Sequence, residues 1–136
     1  MRNFKDLKAW KAGVELAVQT HQYLETRSQR SMWAIADQMR RASLSIPNNI
    51  AEGFGRDTAP DRRQFVIRAR GSLQELETSL LVGKRLGFRE TEELDEQIEL
   101  TGKLLNGLIR FLDRWIREHS PSRRPTKTKT EPPPHH

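Results

Sequence analysis

The sequence contains no cysteine and one tyrosine, and aromatic residues make up only 7% of its 136 residues. Without cysteine, the chain has no disulfide scaffold, no thiolate-bound zinc or iron–sulfur site and no thiol nucleophile. No apolar run approaches the roughly 18 residues that a membrane span requires, and the first residues lack the apolar core of a secretion signal. We therefore expect a soluble, cytoplasmic protein without a membrane partner.

The sequence also lacks the residue patterns of a catalytic or metal site. Its four histidines have no metal-ligand spacing such as His-Glu-x-x-His. Acidic residues crowd positions 92–99, which is typical of a solvated helix face, and no nucleophile–base pair is recognisable. The Gly-Phe-Gly run at 53–55 follows a predicted helix and not a strand, so neither nucleotide-binding fingerprint applies. We predict a protein that is not an enzyme and has no cofactor or metal.

Basic residues are what the sequence has in excess. The 24 lysines and arginines outnumber 18 acidic residues, which gives a formal charge of +6 and a pI near 10.2. The excess lies in residues 1–60 and 117–136, whereas residues 61–116 are balanced. A basic surface attracts phosphate over long range, so RNA or DNA is the expected partner.

Apolar residues recur every three or four positions in four segments, and no segment alternates with a period of two. This spacing predicts four helices. Joined by short loops, they form an all-α, up-and-down antiparallel four-helix bundle. The predicted core positions are Leu7, Trp10, Val14, Ala17, His21 and Leu24; Ile35, Met39, Ala42, Ile46 and Ile50; Val66, Ala69, Leu73, Leu76, Leu80 and Gly83; and Leu94, Ile98, Thr101, Leu105, Leu108, Leu112 and Trp115.

Capping residues mark the predicted helix boundaries. Asp57 or Thr58 is expected to cap the third helix at its start. Gly87 is expected to end this helix in the left-handed conformation, with Phe88 folding back onto the last turn. Thr91 then caps the fourth helix, and acidic residues in its first turn suit the positive end of the helix dipole.

Pro47 interrupts the second apolar pattern. Because it removes a backbone hydrogen bond inside a helix, it predicts a kink in the second helix. The spacing continues to Ile50, so the helix should bend and not stop. Two interpretations remain open. The kink follows the curvature of the bundle, or it exposes backbone groups beside Asn48 and Asn49 to a ligand or a partner subunit.

Some predicted helices are apolar on more than one face. Runs of adjacent apolar residues occur at 65–67, 80–82, 104–105 and 108–109. An isolated four-helix bundle buries only about a third of each helix surface. The surplus apolar surface therefore predicts self-association.

Residues 120–136 differ in composition from the predicted bundle domain, residues 1–119. They contain five prolines and four basic residues and no Leu, Ile, Val or Phe. Such a segment buries too little apolar surface to offset its ordering entropy, so we predict a disordered basic tail. It either solubilises the protein or lies along phosphates as a basic arm. His135 and His136 are either native or the remainder of a purification tag.

Basic side chains form the candidate nucleic-acid interface. Arg62 and Arg63 lie in the first turn of a predicted helix, where the dipole disfavours cations. Either these arginines belong to a functional surface, or they form surface ion pairs with Asp61 or Glu52. The candidate residues are Lys5, Lys8, Lys11, Arg40, Arg41, Arg56, Arg62, Arg63, Arg68, Arg70, Arg123, Arg124, Lys127 and Lys129.

Residues 38–56, QMRRASLSIPNNIAEGFGR, closely resemble the signature of the bacterial four-helix bundle proteins associated with intervening sequences in 23S rRNA genes. Residues 4–10, 69–78 and 105–109 also resemble this family, and the resemblance covers roughly residues 4–113. The family is similar to the accessory variability determinant of diversity-generating retroelements. That relative is a pentameric bundle that binds nucleic acid and the element's reverse transcriptase.

The resemblance implies a ring-like homopentamer without catalytic residues. We expect most of the signature to have a structural role. Gly53 and Gly55 are expected to turn the chain out of the second helix. Asn49 and Glu52 are expected to satisfy backbone groups that this turn and Pro47 free. Arg56 either pairs with Glu52 or contacts phosphate. The signature positions are Ser45, Ile46, Pro47, Asn49, Ala51, Glu52, Gly53, Gly55 and Arg56.

The leading functional hypothesis is a non-enzymatic, oligomeric accessory protein that binds RNA or DNA. Phosphate contacts would make this binding blind to sequence and sensitive to salt. Because few aromatic residues are free to stack on bases, we expect weak specificity for single strands. The alternative is a protein-interaction scaffold that recruits a reverse transcriptase or another partner, with charge serving orientation and solubility.

Overall fold

The computed structural model describes residues 3–25 and 31–120. A short 3-10 helix precedes four α-helices, and these residues contain no β-strand. The predicted tail from residue 121 onward, with its four basic residues and two terminal histidines, lies outside the described residues. The 3-10 helix covers Phe4–Asp6, and the α-helices are α1 (Lys8–Tyr23), α2 (Trp33–Gly53), α3 (Ala59–Arg85) and α4 (Glu92–Glu118).

The four α-helices form the predicted up-and-down antiparallel bundle. Each helix packs against the next one in the chain, and α4 packs against α1, with the most extensive interface between α2 and α3. The antiparallel order of α3 and α4 is visible at both ends. The start of α3 reaches Asp113 through Arg63, and the end of α3 reaches Asp95 through Lys84.

The core lies on the faces that these helices turn toward one another. In α3 every predicted core position is buried, from Val66 to Gly83. In α1 the buried face differs from the predicted one. Leu16 and Thr20, which were not predicted core positions, are fully buried, whereas the predicted positions Trp10 and Val14 are half-buried.

The predicted threonine caps are present at the starts of α3 and α4. The Oγ1 atom of Thr58 accepts a hydrogen bond from the backbone N–H of Asp61 at 3.2 Å. Thr91 Oγ1 accepts from the backbone N–H of Leu94 at 3.4 Å. Each cap satisfies one backbone donor that the first helical turn leaves without a partner.

The turn between α3 and α4 is fixed by close packing and by a buried ammonium group. Gly87 has a φ of +123°, and Phe88 N–H donates to the carbonyl of Gly83 at 2.8 Å. The Lys84 side chain is only 15% exposed and lies 2.9 Å from a carboxylate oxygen of Asp95. Burial lowers the pKa of Lys84, but hydrogen bonds and charges from Asp95 and the neighbouring Glu90 more than offset this and raise it.

Helix α2 continues through Pro47 and ends at Gly53. Pro47 is buried and faces Gly13 of α1. A Cβ atom at Gly13 would lie 3.2 Å from a methyl group of Ile46 and 3.4 Å from the Pro47 nitrogen. Gly13 therefore allows α1 to approach α2 closely at the proline. The spacing predicted that the helix continues past Pro47, and it does. A bend at Pro47 stays a prediction.

Candidate nucleic-acid interface

The family-like signature ties α2 to α3 through a small polar network. The Asn49 side-chain amide donates to the Ser45 carbonyl and to Ser45 Oγ, both at 2.8 Å. Ser45 Oγ lies 2.7 Å from Ser72 Oγ, and either hydroxyl can donate. The Asn49 side chain thus bonds the carbonyl of Ser45 and not that of Ser43, which Pro47 leaves without its helical donor, and the network links α2 to α3.

The end of α2 approaches the start of α3 so closely that only glycine fits. A Cβ atom at Gly53 would come within 2.7 Å of Phe65 Cβ and 3.2 Å of the Arg62 carbonyl oxygen. A contact below 3.0 Å forces the neighbouring atom to move, and the Cβ atom of Phe65 is attached directly to the α3 backbone, so it cannot move away by side-chain rotation. Gly53 therefore allows the short loop that brings the arginines of this region together.

Three arginines and two phenylalanines form a cluster at this junction, which we call the arginine corner: Phe54, Arg56, Arg62, Phe65 and Arg68. The guanidinium carbons of Arg56 and Arg68 lie 4.7 and 4.4 Å from the centroid of the Phe65 ring. Arg62 lies 5.2 Å from the centroid of Phe54, and its Nε donates to the Arg56 carbonyl at 3.0 Å. Aromatic faces attract cations at these distances, so the corner holds its guanidinium groups in defined positions.

Carboxylates neutralise little of the charge in the arginine corner. Arg56 approaches Glu52 at 3.5 Å, but both side chains are about half exposed, and such surface pairs contribute little. Within the described ranges, Arg62 and Arg68 form no ion pair with a carboxylate. These two guanidinium groups therefore keep their charge available for an anionic ligand.

Arg63 differs from the other arginines in the first turns of α3. Its Nε donates to a carboxylate oxygen of Asp113 on α4, 50 residues away. Its partner is therefore neither Asp61 nor Glu52, the two carboxylates that the sequence suggested. The pair is partly exposed on both sides. Arg63 thus links α3 to α4, which gives this cation a structural role at its position.

The remaining candidate arginines have weaker or more local contacts. Arg41 forms an exposed pair with Asp37 one turn earlier in α2, at 2.7 Å. Arg70 donates to the side-chain oxygen of Asn106 on α4 at 3.1 Å. Arg40 is half-buried on α2 and forms no ion pair with the described residues.

Charge is segregated along the bundle axis. Contacts between Ala12 and Thr101 and between Ser45 and Ser72 mark the level that divides the bundle into two halves. The basic half (residues 3–12, 46–72 and 102–120) carries twelve basic and six acidic residues, whereas the acidic half (13–25, 31–45 and 73–101) carries five and eleven. The basic residues of the basic half are Lys5, Lys8, Lys11, Arg56, Arg62, Arg63, Arg68, Arg70, Lys103, Arg110, Arg114 and Arg117.

The candidate residues divide unequally between the halves. Eight of those that the sequence singled out lie in the basic half, while Arg40 and Arg41 lie in the acidic half. Arg123, Arg124, Lys127 and Lys129 lie outside the described residues. Sequence reasoning missed four exposed cations on α4. They are spaced by seven, four and three residues and therefore lie on one outer face of the helix. This spacing is visible in the sequence, but only the antiparallel order of the helices places these cations beside the start of α3. They are Lys103, Arg110, Arg114 and Arg117.

The described residues contain neither a cluster of metal-ligating side chains nor a membrane-spanning helix. Among them, no three His, Asp or Glu side chains are grouped so that they could hold a metal ion. None of the four α-helices described above is long and apolar enough to cross a membrane. His21, a predicted core position, is half-buried, with Nδ1 2.8 Å from the carbonyl of Ala17 in its own helix.

The fold and this surface define an all-helical bundle protein whose two halves carry opposite charge. The chain belongs to the 23S rRNA-intervening sequence protein family, whose model matches residues 5–110. The match includes the whole signature at 38–56 and all of the arginine corner, and it confirms the family that the signature suggested. Comparison with individual curated proteins gave no match.

Proposed function

We propose that this protein is a non-enzymatic, oligomeric accessory protein that binds the RNA or DNA backbone through its basic half. The observation that carries the proposal is the segregation of twelve basic residues into one half of a bundle. Arg62 and Arg68 in that half form no ion pair within the described chain. Phosphate contacts of this kind dominate nucleic-acid affinity. The family's association with 23S rRNA intervening sequences is consistent with a role related to rRNA.

The test compares two variants that remove the same charge from opposite halves. Arg62→Gln/Arg68→Gln removes two cations from the basic half, and Arg40→Gln/Arg85→Gln removes two from the acidic half. Fluorescence anisotropy with labelled duplex DNA, across a salt series, gives the log–log salt slope of each variant. Since each phosphate contact contributes about 0.9 to this slope, we expect the first variant to lose about two units and the second almost none. Equal slopes, or no binding at low salt, would contradict the proposal.

The oligomer is proposed to form through an exposed apolar patch in the acidic half, made of Trp33 at the start of α2 and of Val82 and Leu86 at the end of α3. Their exposed fractions are 71%, 44% and 62%. The start of α2 lies beside the turn after α3, because Met32 Cε would be 3.9 Å from a Cβ atom on Gly87. A second copy that covers this patch leaves the basic half open to nucleic acid. A homopentamer is the assembly that the family resemblance implies.

The same patch supports the second candidate, a scaffold that recruits a reverse transcriptase or another protein. Several exposed apolar residues at one end of a bundle favour an interaction surface, whichever partner covers them. The two functions differ in two measurable properties. A monomer in solution that has no affinity for nucleic acid at low salt favours the scaffold, whereas an oligomer with salt-dependent affinity favours the accessory role.

A further inference from the structure

The few aromatic residues of this chain are concentrated in its basic half. The chain has nine, and all of them lie in the described ranges. In the acidic half, Tyr23 and Phe88 are buried and pack edge to face, so only Trp33 is exposed there. The aromatic residues of the basic half are Phe4, Trp10, Phe54, Phe65, Phe111 and Trp115.

One of these six rings is exposed, and four are half-buried. Phe111 on α4 is 44% exposed, Phe65 is buried, and Phe4, Trp10 and Phe54 pack against the core with part of each ring at the surface. Trp115 stacks on His119 near the end of α4, with ring centroids 3.3 Å apart. Phe4 lies edge-on to Trp10 at 5.4 Å. An exposed phenylalanine on a highly charged helix is not explained by packing within the bundle.

The arginine corner adds planar cations to the same half. The guanidinium carbons of Arg62 and Arg68 lie 5.2 and 4.4 Å from the ring centroids of Phe54 and Phe65. A guanidinium group is planar, so it offers a face for stacking and an edge for phosphate. The basic half therefore combines stacking surfaces with cations that no described carboxylate neutralises.

From this combination we infer that the basic half binds unpaired nucleic-acid strands in preference to duplexes. In a duplex the base faces are stacked on each other, so aromatic side chains gain little from it, whereas an unpaired strand can place its bases on rings and guanidinium planes. The small number of aromatic residues predicted weak single-strand specificity, but their positions favour the opposite. The inference rests on the proposed function and adds the class of nucleic acid to it.

The experiment measures the ratio of two affinities, for a labelled single-stranded oligouridylate and for an RNA duplex of equal length, at one salt concentration. Three proteins are compared: wild type, Phe111→Ala and the matched control Leu100→Ala, which removes an equally exposed apolar side chain from the acidic half of the same helix. Because Phe111 and Leu100 are 44% and 46% exposed, circular dichroism should show that all three proteins fold alike.

We expect the wild type to prefer the single strand. Phe111→Ala should lose roughly tenfold in affinity for it with little change for the duplex, and Leu100→Ala should leave the ratio unchanged. A wild-type preference for the duplex, or a ratio that Phe111→Ala does not alter, would overturn the inference while leaving backbone binding by the basic half intact. Absence of binding to both probes would overturn the inference, and it would overturn the proposed function as well if duplex DNA also fails to bind.

Discussion

At the scale of single residues, Tyr23 connects three parts of the bundle. Its hydroxyl donates to the carbonyl of Arg89 at 2.6 Å, and the Arg89 guanidinium carbon lies 4.6 Å from the centre of its ring. Its ring packs edge-on against Phe88 at 6.1 Å. The end of α1 is thereby fixed to the turn between α3 and α4. The partners are 66 residues apart, so no local sequence pattern indicates this contact.

Tyr23 should titrate well above an ordinary tyrosine. Burial raises its pKa to about 12, although the charge of Arg89 acts in the opposite direction. Because Tyr23 is the only tyrosine in the chain, the tyrosinate absorbance band reports on this group alone. An alkaline titration of the native protein should therefore give a midpoint near 12, and a midpoint near the ordinary value of 10.0 in the native state would contradict the burial of this hydroxyl.

The same pKa makes a prediction about stability. A pKa that is higher in the folded state than in the unfolded state gives a contribution that is complete below the unfolded value, 10.0, and lost as the pH rises toward 12. Tyr23→Phe keeps the ring but loses the hydroxyl, at a cost of about 1 kcal/mol at neutral pH. Urea unfolding should show this difference shrink through that alkaline range. A constant difference would show that the hydroxyl does not ionise differently on unfolding.

At the scale of helices, the sequence predicts α3 better than α1. All six predicted core positions of α3 are buried, because four of them carry large apolar side chains that repeat along one stripe of the helix. In α1 the inner positions include Ala9, Ala12 and Gly13, whose small side chains let the neighbouring helices approach. Leu16 and Thr20 become the most buried residues. Apolar spacing predicts that such a segment is a helix. It does not predict which face of the helix is buried when alanine and glycine form the contact with the neighbouring helices.

Two glycines of α3 should respond in opposite ways to replacement by alanine. A Cβ atom at Gly83 would overlap the buried ring of Phe88, whereas one at Gly71 would meet nothing within 4 Å. Alanine at Gly71 should stabilise the protein by about 1 kcal/mol, because glycine is unfavourable inside a helix. Alanine at Gly83 should destabilise it by roughly 1–3 kcal/mol, since overpacking costs more than the helix propensity gains.

Chemical denaturation of both glycine variants, with the wild type, gives the two changes in the free energy of unfolding. Gly71→Ala serves as the control for the intrinsic preference of the helix, so the difference between the variants isolates the contact with Phe88. If both variants were stabilised equally, the C-terminal turn of α3 would not pack as described.

At the scale of the whole molecule, the fold separates basic from acidic residues in a way that their order along the sequence does not show. Residues 61–116 are electrically balanced along the sequence. The start of α3 and the end of α4 nevertheless lie in the basic half, while the end of α3 and the acidic start of α4 lie in the acidic half. The signature and the helix count were predictable because they are local. The interface required the antiparallel order, which places Arg63 and Asp113 side by side.

Self-association through the apolar patch is the prediction that concerns the whole assembly. Leu86 is 62% exposed in the patch, and Val18 on α1 is 45% exposed outside it. Replacing each by lysine places a charge on the surface at little cost to the fold. In the patch, however, that charge would lose its water in the interface, which is expensive without a partner. Leu86→Lys should therefore dissociate the oligomer while Val18→Lys leaves it intact.

Analytical ultracentrifugation of both variants, with unfolding curves to confirm equal stability, measures this difference. If Leu86→Lys keeps the mass of the wild type, the patch is not the subunit interface and is available to a different protein partner.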